Sequence, residues 1–143
     1  MQSFSFIQPA PPIRGMGIAL DLLHTKTPFS NWNAKELIST VKGAARRGHY
    51  IILKDGDTFG AVACWGRCTK EIGEAYVAGQ RTPTFQDCQQ GDHLIMFILQ
   101  ADKPEYLKAI TRFVKDLHPG AIAYGRRYHA HRPKLTSRAL KIR

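Results

Sequence analysis

Cysteine is scarce in this 143-residue chain, acidic residues are far fewer than basic ones, and no apolar run is long. Each shortage excludes something. Three cysteines, an odd number with no secretory leader read ahead of them, do not make a disulfide scaffold and point to a reducing, cytoplasmic setting. No window approaches the roughly 20 consecutive apolar residues of a membrane span. The richest, Leu94 to Leu99, has the length of a strand. No internal repeat is present, which excludes a repeat array. The glycine-rich loops that cradle phosphates are missing too: there is no P-loop and no GxGxxG, and Arg14-Gly15-Met16-Gly17 follows no expected strand. No tightly bound cofactor is expected. Nor is a metal: Cys64 and Cys68 lack a second pair at zinc spacing, and His129 and His131 sit in a basic stretch that repels cations.

What is present is enough for one core. The chain is 43% hydrophobic and 10% aromatic, and its length suits a single domain. Twenty-one Lys and Arg face eleven Asp and Glu, a net charge of +10. Such an excess favours nucleic acid, an anionic surface or an acidic protein as partner. The charge is uneven. Seven basic residues and no acidic one lie between Arg126 and Arg143, leaving fourteen basic and eleven acidic residues, a net +3, in the rest. The expected organisation is therefore a folded domain over 1–125 and a basic tail over 126–143. The tail reads either as a solvated end or as an arm that docks on phosphates or an acidic protein.

Along the chain, Pro9, Pro11 and Pro12 suggest an extended lead-in, and Ile13 to Leu23 a short helix weakened by Gly15 and Gly17. Asn33 to Arg47 has the signature of a capped helix: Asn33 as N-cap, Glu36 three residues on, Gly48 at the stop. Leu37, Ile38, Val41, Ala44 and Ala45 predict its buried stripe. His49 to Lys54 and Thr58 to Trp65 read as strands joined by a tight turn at Asp55-Gly56-Asp57. Thr69 to Ala78 is ambiguous, with strand character at Tyr76 and Val77. Arg81 to Gln90 reads as a loop, and His93 to Gln100 as a strand buried on both faces. Asp102-Lys103-Pro104 opens a second helix with Asp102 as N-cap and Leu107, Ile110, Val114 and Leu117 inward. Ala121 to Gly125 is a last short strand. This order predicts an α+β fold, a single domain with a mainly antiparallel mixed sheet flanked by helices.

Few residues carry chemistry on their own account. Cys64 reads as a small core residue of the hairpin. His49 and His118 flank element ends and read as structural. His24 lies where a helix gives way to a loop and reads as a cap or surface histidine. Gly91-Asp92 stands just ahead of the buried strand: either a loop carboxylate bonding its own backbone, or one at the mouth of the sheet that orients a histidine base.

Several of these segments together resemble the toxin-activating lysine acyltransferases of the hemolysin C type. Thr27-Pro28-Phe29-Ser30-Asn31-Trp32 is similar to that family's Ser-Pro-Leu-His-x-Asn-Trp motif. The spacing onward to His49-Tyr50 and to Ala63-Cys64-Trp65 fits without a gap. Gly91-Asp92 resembles the Gly-Asp carrying the family's functional aspartate, and Tyr106 to Arg127 its late helix and strand. The likeness runs from about Ile18 to Arg127. It implies an N-acetyltransferase-like fold, related to the Gcn5 type, that uses an acidic acyl carrier protein in place of CoA. It also implies transfer of a fatty acyl group from the carrier to lysines of a protein substrate. The basic surface suits such a donor.

The motif departs from the family at its histidine. Ser30 precedes Asn31-Trp32, and the nearest imidazole is upstream at His24. Two readings follow. In one, His24 is the base and Asp92 its orienting carboxylate in an active acyltransferase. In the other, the same scaffold is a non-catalytic interaction or structural protein, such as a component of a phage particle packed against neighbouring virion subunits. Binding of nucleic acid through 126–143 is a third expectation, resting on charge alone.

Overall fold

The computed structural model describes residues 4–129 and 132–141, with side chains over 4–126. The fold is α+β. Its elements in chain order are β1 (Phe4–Ile7), α1 (Pro12–Leu23), α2 (Ala34–Arg47), β2 (Tyr50–Asp55), β3 (Thr58–Cys68), α3 (Lys70–Val77), β4 (His93–Ala101), α4 (Pro104–Leu117), β5 (Ile122–His129) and β6 (Arg132–Lys141). The pairs β1–β2, β2–β3 and β5–β6 are antiparallel, and β4–β5 is parallel. This is the mixed, mainly antiparallel sheet expected of the sequence. No helix among the described residues is long and apolar enough to cross a membrane.

The chain divides into two compact units, one of Met1–Cys64 with Ile98–Phe113, the other of Trp65–Phe97 with Val114–Arg143. Strands β3 and β4 and helix α4 each run through both.

In the first unit the lead-in is not merely extended. Phe4 to Ile7 pair with Asp55 to Ile52 as an edge strand. The aromatic residues supply the reason: Phe4 meets Tyr106 edge-on at 5.4 Å and Phe6 stacks on Phe113 at 4.4 Å. Helix α2 starts as its sequence dictates. The Asn33 side-chain oxygen accepts from the Glu36 N–H at 2.8 Å, and Gly48 ends the helix at φ 76°. Leu37, Val41, Ala44 and Ala45 are buried, but Ile38 is 44% exposed. One residue is a 100° turn, enough to carry Ile38 off the stripe. Gly15 and Gly17 lie within α1, so the Arg14–Gly17 segment is helical and not a loop. Gly15 has a packing use, because the Tyr50 ring occupies the space where a Cβ would stand.

Helix α4 departs similarly from expectation. Its buried line is Tyr106, Ile110 and Val114, whereas Leu107 and Leu117 are 43% and 51% exposed. Ile110 and Val114 face inward as expected, and a strict four-residue spacing puts Tyr106 in place of Leu107 on that line. Lys103, not Asp102, directly precedes the helix, and its carbonyl accepts from the N–H groups of Tyr106 and Leu107. The Asp102 carboxylate instead faces the Lys26 ammonium at 3.4 Å.

In the second unit Thr69 to Ala78 resolves as helix. The Thr69 hydroxyl accepts from the Ile72 N–H at 3.3 Å, and this cap outweighs the β-propensity of Tyr76 and Val77. Ile72, Tyr76 and Val77 then pack on a core of Cys68, Ile95 and Tyr124. Strand β4 buries Leu94, Ile95 and Ile98, with Met96 and Phe97 half-buried. The last strand continues past Gly125 to His129, and 132–141 pairs back on it. The backbone of the basic tail is thus largely strand, and its side chains from Arg127 on lie outside the described residues.

Candidate functional site

The turn that resembles the acyltransferase motif joins α1 to α2. Phe29 to Asn31 form a single 3-10 turn, held by Ser30 N–H to Lys26 O at 2.8 Å and Asn31 N–H to Pro28 O at 2.9 Å. Phe29 is buried, and Trp32 packs edge-on against it at 5.4 Å. Ser30 is exposed. The turn is therefore held by its packing pair, and Ser30 faces solvent.

His24 caps the C-terminus of α1, its N–H donating to Leu20 O at 3.0 Å. Its imidazole is 61% exposed, and the carboxylate beside it is Asp21, one helical turn earlier, with Nε2 3.9 Å from Oδ1. An exposed pair at that distance orients an imidazole weakly.

Asp92 is exposed just before β4, in the second unit, whereas His24 belongs to the first. The glycine before it is tightly constrained. Gly91 has φ 143°, and a Cβ there would collide with the Cys68 carbonyl oxygen. The Gly91 carbonyl accepts from Arg67 Nε at 3.0 Å, and Arg67 bridges to Gln89 in parallel register. Gly91-Asp92 is in this sense a clamp that seats the loop against the end of β3. The loop ahead of it is organised by Asp87, which takes two bonds from Arg81 at 2.8 and 2.7 Å. Bonds from the Thr84 N–H and then Arg81 hold the Asp87 carboxyl below its usual range.

His93, His118 and the cysteines are packing residues. His93 Nδ1 accepts from the Ile122 N–H at 3.2 Å, and its ring stands edge-on to Tyr124. The His118 ring lies edge-on to Trp65 at 5.9 Å. Burial, and secondarily the Arg67 charge, push its pKa down, so the imidazole is kept neutral. The local sequence marks His118 only as an element-end residue and not its contact with Trp65, since the two lie far apart in the chain. Cys64 is fully buried and its thiol is pushed up to about 12; burial also pushes Cys68 up to about 12. Neither is poised as a nucleophile. Among the described residues no group of three His, Cys, Asp or Glu side chains could hold a metal ion.

Neither family models nor curated proteins give a match to this sequence.

Proposed function

We propose that this chain uses an acyltransferase-like scaffold as an interaction module, binding an acidic protein partner without turning over an acyl donor. One observation carries the reading: the residues that give the hemolysin C resemblance are spent on packing. Phe29 and Trp32 close the motif turn, Tyr50 fills the space above Gly15, Cys64 and Trp65 are in the core, and Gly91 seats a loop on Cys68. The reacting positions have no comparable support. Ser30 faces solvent, and His24 stands beside Asp21 at an exposed helix end. Losing a positioned base costs a factor of about 10² to 10⁴ in rate, so a scaffold without one keeps its shape more readily than its chemistry. Neighbouring subunits of a virion are one setting for such a module. The basic residues between Arg126 and Arg143 would add charge-driven affinity for an acidic protein or for nucleic acid.

A second reading rests on the accessibility of His24. An exposed imidazole with the Asp21 carboxylate one turn away can accept a proton from lysine. In that case acyl carrier protein donates the acyl group and a protein lysine receives it.

One assay separates the two. Purified protein is incubated with acylated acyl carrier protein and a lysine-rich acceptor, and acyl transfer is followed by mass spectrometry for wild type, His24→Ala and Asp92→Ala. No transfer by well-folded wild type supports the module. Transfer that falls about 100-fold or more in both variants overturns it in favour of catalysis.

A further inference from the structure

Strands β5 and β6 sort the basic end of the chain into two faces. In an antiparallel ladder, paired residues share a face and the faces alternate along each strand. The register puts Ile122 with Lys141, Tyr124 with Ala139 and Arg126 with Ser137 on one face. Helix α3 takes that face. A Cβ on Gly73 would collide with the Tyr124 ring, Ile122 packs on the same cluster, and the Arg126 guanidinium lies 5.8 Å from the centre of the Tyr76 ring. The other face holds Ala123 with Leu140, Gly125 with Arg138 and Arg127 with Thr136. His129 with Arg132 follows beyond a shift in register, two residues on along β5 and four back along β6, so the same parity holds on both strands. Arg127, Arg132 and Arg138 thus fall together on the face away from α3.

They also gather at one end of the pair. Strand β4 pairs with β5 at Ala123, Tyr124 and Gly125, and from Arg126 on the ladder of the described residues joins β5 to β6 alone. Arg127 stands opposite Thr136, so Arg138 is its diagonal neighbour, about 7–8 Å away. No acidic residue occurs from Arg126 to Arg143 to offset this charge. Arginine is also the preferred cation here. Five of the seven basic residues in that stretch are Arg, against six of fourteen in the rest of the chain. The planar guanidinium fork matches phosphate oxygens in a way that an ammonium does not.

We propose that this face of the β5–β6 ribbon binds the phosphate backbone of a nucleic-acid duplex, with Arg127, Arg132 and Arg138 as its phosphate-binding residues. The inference goes beyond the interaction reading above and stands without it, since neither the motif turn nor His24 takes part. Charge density selects the partner. A duplex carries one negative charge per about 1.7 Å of its axis, which suits cations set side by side on a short ladder. A protein partner would need an apolar centre among the charges, and from Gly125–Arg138 outward the pairs of this face hold no aliphatic residue larger than Thr136. Nor is there a Phe, Tyr or Trp among those pairs to stack an unpaired base, so a duplex fits better than a single strand. Two paired strands are also narrow enough for the major groove, about 12 Å wide. Contacts of this kind hold the duplex without reading its sequence.

The test uses the full chain and a fluorescent 20-base-pair duplex DNA, with affinity followed by anisotropy between about 50 and 200 mM salt. Circular dichroism confirms that each variant is folded. Wild type is expected to bind, with a steep loss of affinity as salt rises. Arg127→Ala/Arg132→Ala/Arg138→Ala should weaken binding about tenfold or more and flatten the logarithmic salt slope by about 2 to 3, one phosphate contact per arginine. Lys35→Ala/Lys42→Ala/Lys108→Ala, an equal charge change at exposed positions elsewhere, should stay within about threefold and keep the slope. Should the triple arginine variant lose its dichroism, the three single variants carry the test, each flattening the slope by about 1. No binding at the lowest salt, equal losses in the two triple variants, or an unchanged slope in the arginine variant overturns the proposal. So does tighter binding of polyglutamate, or of the 20-base single strand, through the same three arginines. Neither outcome of the acyl-transfer assay decides this one, so the two readings fail separately.

Discussion

Gly91 shows how much a single position can decide. Its φ of 143° is a backbone conformation that L side chains rarely adopt, and its missing Cβ leaves room for the Cys68 carbonyl. Gly91→Ala is expected to lower stability by about 2–4 kcal/mol, read from urea denaturation. A drop below about 0.5 kcal/mol would mean that the loop relaxes freely. The buried titratable groups make pH a second probe at this scale. Because burial lowers the His118 pKa, the unfolded chain takes up a proton below about pH 6.5 that the folded chain resists. Stability is therefore lost as pH falls through that range, and His118→Phe should flatten the acid limb of the denaturation midpoint. Cys64 acts at the other end. Its thiol is raised to about 12, so the unfolded thiol ionises first and stability falls as pH climbs above about 9. Under reducing conditions Cys64→Ala should remove part of that alkaline slope while costing some stability at neutral pH through the cavity it leaves.

At the scale of elements, helix ends and pinned hydrogen bonds set the expectations. Asn33→Ala removes the acceptor for the Glu36 N–H and should cost about 1 kcal/mol, visible as a lower thermal midpoint. Tyr106→Phe removes the hydroxyl that donates to Asp55 Oδ2 at 2.7 Å and should cost about 1–2 kcal/mol in urea denaturation, against little for the exposed Leu107→Ser. These elements also show what the sequence makes legible. The ends of α2 can be read because cap, capping partner and stop are all local, and so can the β2–β3 hairpin, although β3 runs past the expected Trp65 to Cys68. Phases are harder: spacing alone turns Ile38, Leu107 and Leu117 inward, and along α4 the choice between adjacent registers is made by tertiary partners such as Phe4 and Phe6. Helix α3 hides behind Tyr76 and Val77, whose intrinsic preference for strands gives way to the Thr69 cap and the packing against Tyr124. Strand β1 hides among prolines because its pairing partner is β2, more than forty residues downstream. The candidate site was the least legible part. Short motifs gave the positions of Ser30, His24 and Asp92, but the partner of an exposed imidazole or carboxylate is fixed by three-dimensional neighbours that spacing does not encode.

Across the whole molecule, the path of the chain matters more than any one contact. It passes between the two units at Cys64–Trp65, Phe97–Ile98 and Phe113–Val114, each time inside a strand or helix. Neither unit can be cut out as one contiguous segment, and an element shared by both transmits unfolding from one to the other. The two tryptophans make this measurable, because Trp32 belongs to the first unit and Trp65 to the second. Urea transitions followed by Trp65 fluorescence in Trp32→Phe and by backbone circular dichroism should superimpose. Separated midpoints would show that the units melt independently.

The parallel register of β4 with β5 has a consequence for biosynthesis. Leu94, Ile95 and Met96 find their ladder partners only at Ala123, Tyr124 and Gly125, on the far side of α4. While the ribosome is still making that helix, one side of an apolar strand from His93 to Ala101 waits with its backbone unpaired. A nascent chain stalled or truncated before Ile122 would offer that side to other copies, and insoluble inclusions in place of dispersed protein are the expected fate of such a fragment.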